Sequence, residues 1–188
     1  MNGENDKSSH WAHCVAAEAH QSKTYTVGLM SGSRFTNDRR AIDRLLRTTV
    51  NELNRLEYGT STLLLRLDVF GDLPATSKIG APLPELKSPL GPWYEIVLRL
   101  VGSEQVERTL EQVVANLPQW KQQHRLVVVD LGPMHLAPSR SVGRLCDVCY
   151  LLLGPKTCAS HDWILQQVGA HDRNGTVIAG SIITTAAA

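Results

Sequence analysis

Tyr25-Thr26-Val27-Gly28-Leu29-Met30-Ser31-Gly32-Ser33, followed after a short polar loop by Arg39-Arg40-Ala41-Ile42-Asp43-Arg44-Leu45-Leu46, decides how this chain folds. The first six residues are strand-type, and Ser31-Gly32-Ser33 closes them with turn chemistry. Beyond Asp38, apolar residues recur at Ala41, Ile42, Leu45, Leu46, Leu53 and Leu56, close to the spacing of one helical face. A buried strand, a loop and an amphipathic helix in that order form the repeating unit of an α/β sheet. The loop that leads from the carboxyl end of such a strand into a helix is where phosphates bind, because free backbone N–H groups and the helix dipole converge there.

The residues in the loop do not supply that chemistry. A phosphate-cradling loop needs glycines for close wrapping, a lysine for the phosphate charge, and a Ser or Thr for magnesium. If Gly32 opens the pattern G-x-x-x-x-G-K-[ST], the second glycine falls on Asn37, the lysine on Asp38 and the hydroxyl on Arg39. Opposite a triphosphate, an aspartate in place of the lysine turns attraction into repulsion, on the order of several kcal/mol at intermediate dielectric. Gly32, Ser33, Asp38 and Arg39 are therefore positions of a degenerate cofactor loop.

The 188 residues suffice for one domain with a sizeable core. With 19 basic and 18 acidic residues the net charge is +1, which selects no charged partner. No apolar run approaches the roughly 20 residues that span a bilayer, and Met1 to Asp6 lacks a basic-then-apolar signal pattern. A cytoplasmic location is expected, with membrane association only through a partner. Cys14, Cys146, Cys149 and Cys158 are too few and too uneven for a disulfide framework, so reduced thiols are expected. Cys146 and Cys149 have C-x-x-C spacing but flank the start of the apolar run Val148 to Leu153, and buried thiols are the simpler reading. His10, His13 and Cys14 could meet on a helix, although an exposed or frayed terminal segment is the simpler reading.

Periodicity divides the chain into 1–23, a flexible segment with a short helix at Trp11 to His20, and 24–185, a single domain. Within the domain, strands are expected at Thr62 to Val69, Trp93 to Val101, Leu126 to Val129, Val148 to Leu153 and Thr176 to Ile183. The segment 71–92 carries Pro74, Pro82, Pro84, Pro89 and Pro92 with three glycines and reads as a long surface loop. Ser103 is an N-cap for a helix with apolar positions Val106, Leu110, Val113, Val114 and Leu117, which Pro118 should kink or end. Ser139 to Leu145 and Thr157 to Val168 are long enough for further helices. Strands alternating with helices indicate an α/β fold, a mainly parallel sheet covered on both faces.

In such a sheet the carboxyl ends of the strands carry function. Asp130 follows Leu126-Val127-Val128-Val129 and precedes Leu131-Gly132-Pro133, and Asp68 ends the run Leu63-Leu64-Leu65-Arg66-Leu67. Both carboxylates can hold magnesium or its water. The alternatives are a turn-capping role for Asp130 and a buried ion pair between one of the two and Arg66.

Strand, loop and helix, then Leu63-Leu64-Leu65-Arg66-Leu67-Asp68, then Val127-Val128-Val129-Asp130-Leu131-Gly132-Pro133, resemble in order the bacterial tyrosine kinases of capsule and exopolysaccharide synthesis. These belong with the ParA/MinD-type P-loop ATPases. The resemblance continues through Gly143 to Leu153 and covers roughly Thr24 to Thr184. It implies a three-layer P-loop NTPase-like sandwich, a Walker A loop at Gly32 to Arg39, a second acidic motif at Leu63 to Asp68, and a Walker B-type motif at Val127 to Pro133. Asp130 and Asp68 are the catalytic candidates it implies. Arg66 stands where the acidic motif has its first aspartate, and the tyrosine-rich tail has no counterpart in Ile182 to Ala188, so tail autophosphorylation is not expected.

With two motifs lost together, the favoured reading is a non-catalytic relative that serves as an interaction or regulatory module. Its expected partner is a related kinase or a polysaccharide-export membrane protein, with a homo-oligomer as a further possibility and no cofactor. An active ATPase or kinase would use Mg-ATP, with Asp130 and Asp68 around the metal and Arg34, Arg39 or Arg40 on phosphate. A third reading, binding to DNA or an anionic membrane, rests on Arg40, Arg44 and Arg47 along one helix face; a solvated face with Asp43 and Glu52 nearby is the simpler account, and nucleic acid is not expected.

Overall fold

The computed structural model describes residues 5–22, 24–33, 39–55, 61–68, 86–88, 90–100, 103–154 and 160–183. In chain order these form α1 (Asn5–Gln21), β1 (Tyr25–Ser31), α2 (Arg39–Arg55), β2 (Thr62–Asp68), β3 (Leu86–Lys87), β4 (Tyr94–Arg99), α3 (Ser103–Gln123), β5 (Leu126–Pro133), α4 (Ala137–Gly143), β6 (Val148–Leu153), α5 (His161–Arg173) and β7 (Ile178–Ile183). The strands make one sheet in the order β3-β4-β2-β5-β1-β6-β7. Every pairing is parallel except that of the two-residue β3 with β4.

The continuous apolar runs follow from burial on both faces of this sheet. Along β5, Leu126 and Val128 join one core with Val27, Leu29, Leu64 and the inward residues of α1 and α2. Val127, Val129 and Leu131 join the other core, with Val113, Leu117 and Trp120 of α3 and with Val142 of α4. The result is the three-layer sandwich expected from the sequence. Gly28 sits where the layers are tightest: a Cβ there would lie 2.6 Å from Cys149 Sγ, 2.7 Å from Leu131 Cδ1 and 3.2 Å from Cys146 Sγ.

Some boundaries differ from the sequence expectation. Residues 5–9, expected to be irregular, belong to α1, whose Trp11, Ala12, Val15, Ala16 and Ala19 are buried against the first core. Once that packing fixes the middle of the helix, extending it toward the amino end costs little. Arg125 secures its other end, donating from Nε to the Ala19 carbonyl at 2.9 Å and from a terminal nitrogen to the His20 carbonyl at 2.5 Å. Pro118 does not end α3, which runs on to Gln123. Leu117 and Trp120 are buried on either side of it, and their packing outweighs the roughly 3 kcal/mol that an interior proline costs.

β5 runs three residues beyond Asp130, and β3 adds a short antiparallel rung within the segment expected to be wholly irregular. Most of 71–92 lies outside the described residues. α4 and α5 sit near, though not on, the expected bounds, and β7 starts at Ile178. Cys146 and Cys149 are buried free thiols, as the apolar run they flank led one to expect, with Cys149 in β6 and Cys146 just ahead of it. Among the described residues, no helix is long and apolar enough to cross a membrane.

Candidate functional site

β1 lies between β5 and β6, so the connections diverge at its carboxyl end, where α/β sheets open a binding crevice. Gly32 and Ser33 follow there. The Gly32 N–H donates to the Leu152 carbonyl at 2.9 Å, and the Ser33 N–H donates to Ser31 Oγ at 3.1 Å. These two amides are therefore engaged by the protein itself. Asp38 lies outside the described residues, and of Arg39 only the backbone, the first residue of α2, is described.

Asp130 is buried inside β5 and is engaged through both oxygens. Oδ1 accepts from the Gly132 N–H at 3.2 Å, and Oδ2 accepts from Arg66 at 3.5 Å. The first contact spans an irregularity in the β1–β5 register, where Leu29 pairs with Asp130 but Met30 pairs with Gly132. Gly132 has φ of +69°, a left-handed conformation that glycine adopts without strain, and the carboxylate bridges the resulting bulge. Asp68 ends β2 and is buried; its carbonyl accepts from the Leu100 N–H at 2.9 Å.

Arg66 dominates the region. Only 3% of its surface is exposed, and its guanidinium reaches three carboxylates: Glu95 on β4 at 2.5 Å through Nε, Asp130 on β5, and Asp43 on α2 through a terminal nitrogen. Burial works against the charge, but Asp130, Asp43 and Glu95 outweigh it and hold the guanidinium above its ordinary pKa. The buried pair anticipated between Arg66 and an acidic neighbour is thus formed with Asp130, and two further carboxylates join it. Asp43 does not lie on a solvated helix face; it turns inward to this guanidinium.

The network closes on itself. Glu95 Oε2 accepts from Ser88 Oγ at 3.1 Å, Ser88 Oγ accepts from the Leu90 N–H at 3.2 Å, and the Leu90 carbonyl accepts from Arg47 at 2.7 Å. Arg47 stands one turn from Asp43 on α2. A ring of contacts thereby fastens Ser88 and Leu90 to α2 and β4, and Arg47, one of the three arginines considered for an anionic surface, is committed to it. Sequence reading missed Asp43 and Glu95 as members. The available signal was a lone acid in the apolar strand Trp93 to Val101 matching a lone base in Thr62 to Val69.

No protein-family model matches the chain, and no curated protein matches it. Solved structures do. The kinase domain of the Escherichia coli tyrosine kinase ETK superposes with a TM-score of 0.67 at 12% identity, over 96% of this chain and 77% of that one. The VpsO kinase domain gives 0.66 at 13% identity, over 100% of both chains. A ParA family ATPase from Chlorobium tepidum gives 0.53 at 15% identity, over 87% of this chain and 74% of that one. The fold is that of the bacterial tyrosine kinase domains and of the wider P-loop ATPases, as the order of motifs suggested.

Proposed function

We propose that this chain is a P-loop NTPase-like module in which a built-in counter-ion has replaced the nucleotide chemistry, and that it acts through protein contacts as an interaction or regulatory module. The observation that carries this reading is Arg66, buried among Asp130, Asp43 and Glu95. A magnesium ion ligated or oriented by Asp130 would have to share that carboxylate with a guanidinium, in a region where like charges are weakly screened. The residues present do not fit a metal–nucleotide complex. Asn37, Asp38 and Arg39 at the glycine, lysine and hydroxyl positions support the same conclusion from the phosphate side.

The context this reading implies is exopolysaccharide synthesis or export, with a related kinase or a polysaccharide-export membrane protein as partner. Nucleotide binding is the decisive test. A ligand at 100 times its Kd stabilises the folded state by about 2.7 kcal/mol, several degrees in melting midpoint for a domain of this size. Differential scanning fluorimetry with millimolar Mg-ATP or Mg-ADP should leave the midpoint unchanged, and an upward shift of several degrees would overturn the proposal.

A further inference from the structure

On the flank of the sheet, an open groove of about 680 Å³ runs between α1 and the edge strand β7. Trp11 and Ile182 give it an apolar wall, Gly180 and Ser181 leave it wide, and His10 and Cys14 open into it from α1. His10 and Cys14 are one helical turn apart, with Sγ 3.7 Å from Nε2. Tyr150 closes the inner side; burial, then Cys14 and Glu18, hold its phenol above the usual pKa, so it remains a neutral wall. The dyad has no third metal-type ligand, since among the described residues no group of three His, Cys, Asp or Glu side chains is disposed to hold a metal ion. A thiol beside an imidazole, at the mouth of an apolar groove, is instead the pairing from which a nucleophile and its base can be built.

We infer that Cys14 is a modification site that undergoes thiol–disulfide exchange with small uncharged disulfides, with His10 as the base. The thiol proton passes to His10 Nε2, and the thiolate attacks one sulfur of the disulfide. A bond forms between Cys14 Sγ and that sulfur as the original S–S bond breaks. The departing thiolate takes the proton from His10 and leaves as a thiol. Cys14 is thereby oxidised to a mixed disulfide while the other half of the reagent is reduced, and the groove holds the new substituent against Trp11. Cys146 and Cys149 do not compete: both are buried, and hydrogen bonding with Cys149 followed by burial pushes the Cys146 thiol well above the ordinary range.

The test uses the whole chain and 4,4′-dithiodipyridine at less than one equivalent, with the labelled cysteine identified by peptide mass mapping at neutral pH. Cys14 should take most of the label, and His10→Asn should slow its labelling about tenfold, the scale on which a neighbouring base activates a thiol. Because His10 is exposed, the melting midpoint should be unaffected, and His10→Gln provides a second variant with the same expected loss. Labelling that favours Cys158, or a Cys14 rate indifferent to both His10 variants, would overturn the inference.

Discussion

Arg66 and Asp130 are register partners on the adjacent parallel strands β2 and β5, and their side chains meet at 3.5 Å with less than 4% of either residue exposed. An ion pair in that position is stabilising only while both members are present, because desolvation has already cost much of what attraction returns. Arg66→Met should therefore cost about 3–5 kcal/mol, by stranding three carboxylates. Arg66→Met and Asp130→Asn should be non-additive by about 0.5–3 kcal/mol in a urea-denaturation double-mutant cycle. Strict additivity would show that the two charges do not interact.

Arg47→Ala removes one hydrogen bond from the ring that ties Leu90 to α2. The bond is solvent-exposed, so global stability should fall by only about 0.5–1.5 kcal/mol. Its local effect should be larger: hydrogen exchange at the Leu90 and Ser88 amides should quicken, while amides of β5 keep their protection. Equal acceleration in both places would mean that the ring holds nothing locally.

At Gly28 a methyl group is too much. Gly28→Ala drives Cβ into Cys149 Sγ and Leu131 Cδ1, and overpacking of this kind costs about 1–3 kcal/mol. Adding Cys149→Ala should restore part of the lost melting midpoint, whereas no restoration would place the strain elsewhere.

Pro118→Ala should stabilise the protein. Pro118 is exposed within α3 and withholds one intrahelical hydrogen bond. An alanine restores it, and even after the entropy that proline removes from the unfolded chain a gain of about 1 kcal/mol is expected in urea titrations. A fall in stability would indicate that the ring of Pro118 packs usefully.

His171 gives stability a dependence on pH. The residue is buried, with Nε2 2.7 Å from the Met134 carbonyl, to which it donates. Burial and then the Arg140 charge lower its pKa from 6.5, against the opposing pull of that hydrogen bond. As pH falls below 6.5, the unfolded chain takes up a proton that the folded imidazole still refuses. Stability from this group is thus full above 6.5 and is lost progressively down to the lowered folded value. Urea midpoints between about pH 7.5 and 5.5 should fall in the native chain and fall less in His171→Gln.

Much of this architecture could be read directly from the residues. β1, β2, β5 and β6 announce themselves because both faces are covered, so each is a largely apolar run, broken in β2 by Arg66, and the periodicity of α2 is equally plain. What escaped depends on tertiary contact. The start of α1 is set by the packing of Trp11 and Val15, and the persistence of α3 past Pro118 by Leu117 and Trp120. At the candidate site, a partner for Arg66 could be expected, and Glu95 left a signal as the lone acid of its strand, but the membership of Asp43 could not be read. It follows from the order β4-β2-β5, which seats Arg66 between the strands of Glu95 and Asp130 and beneath α2.

A guanidinium carried on the chain differs from a dissolved cation in one further respect. It cannot be diluted, chelated or exchanged, so its single positive charge among Asp43, Glu95 and Asp130 follows no mass-action law. Where a dissolved cation would come and go, Arg66 stays among these carboxylates as long as the fold does. Part of the charge balance between α2, β4 and β5 is thereby carried by the chain itself, from β2.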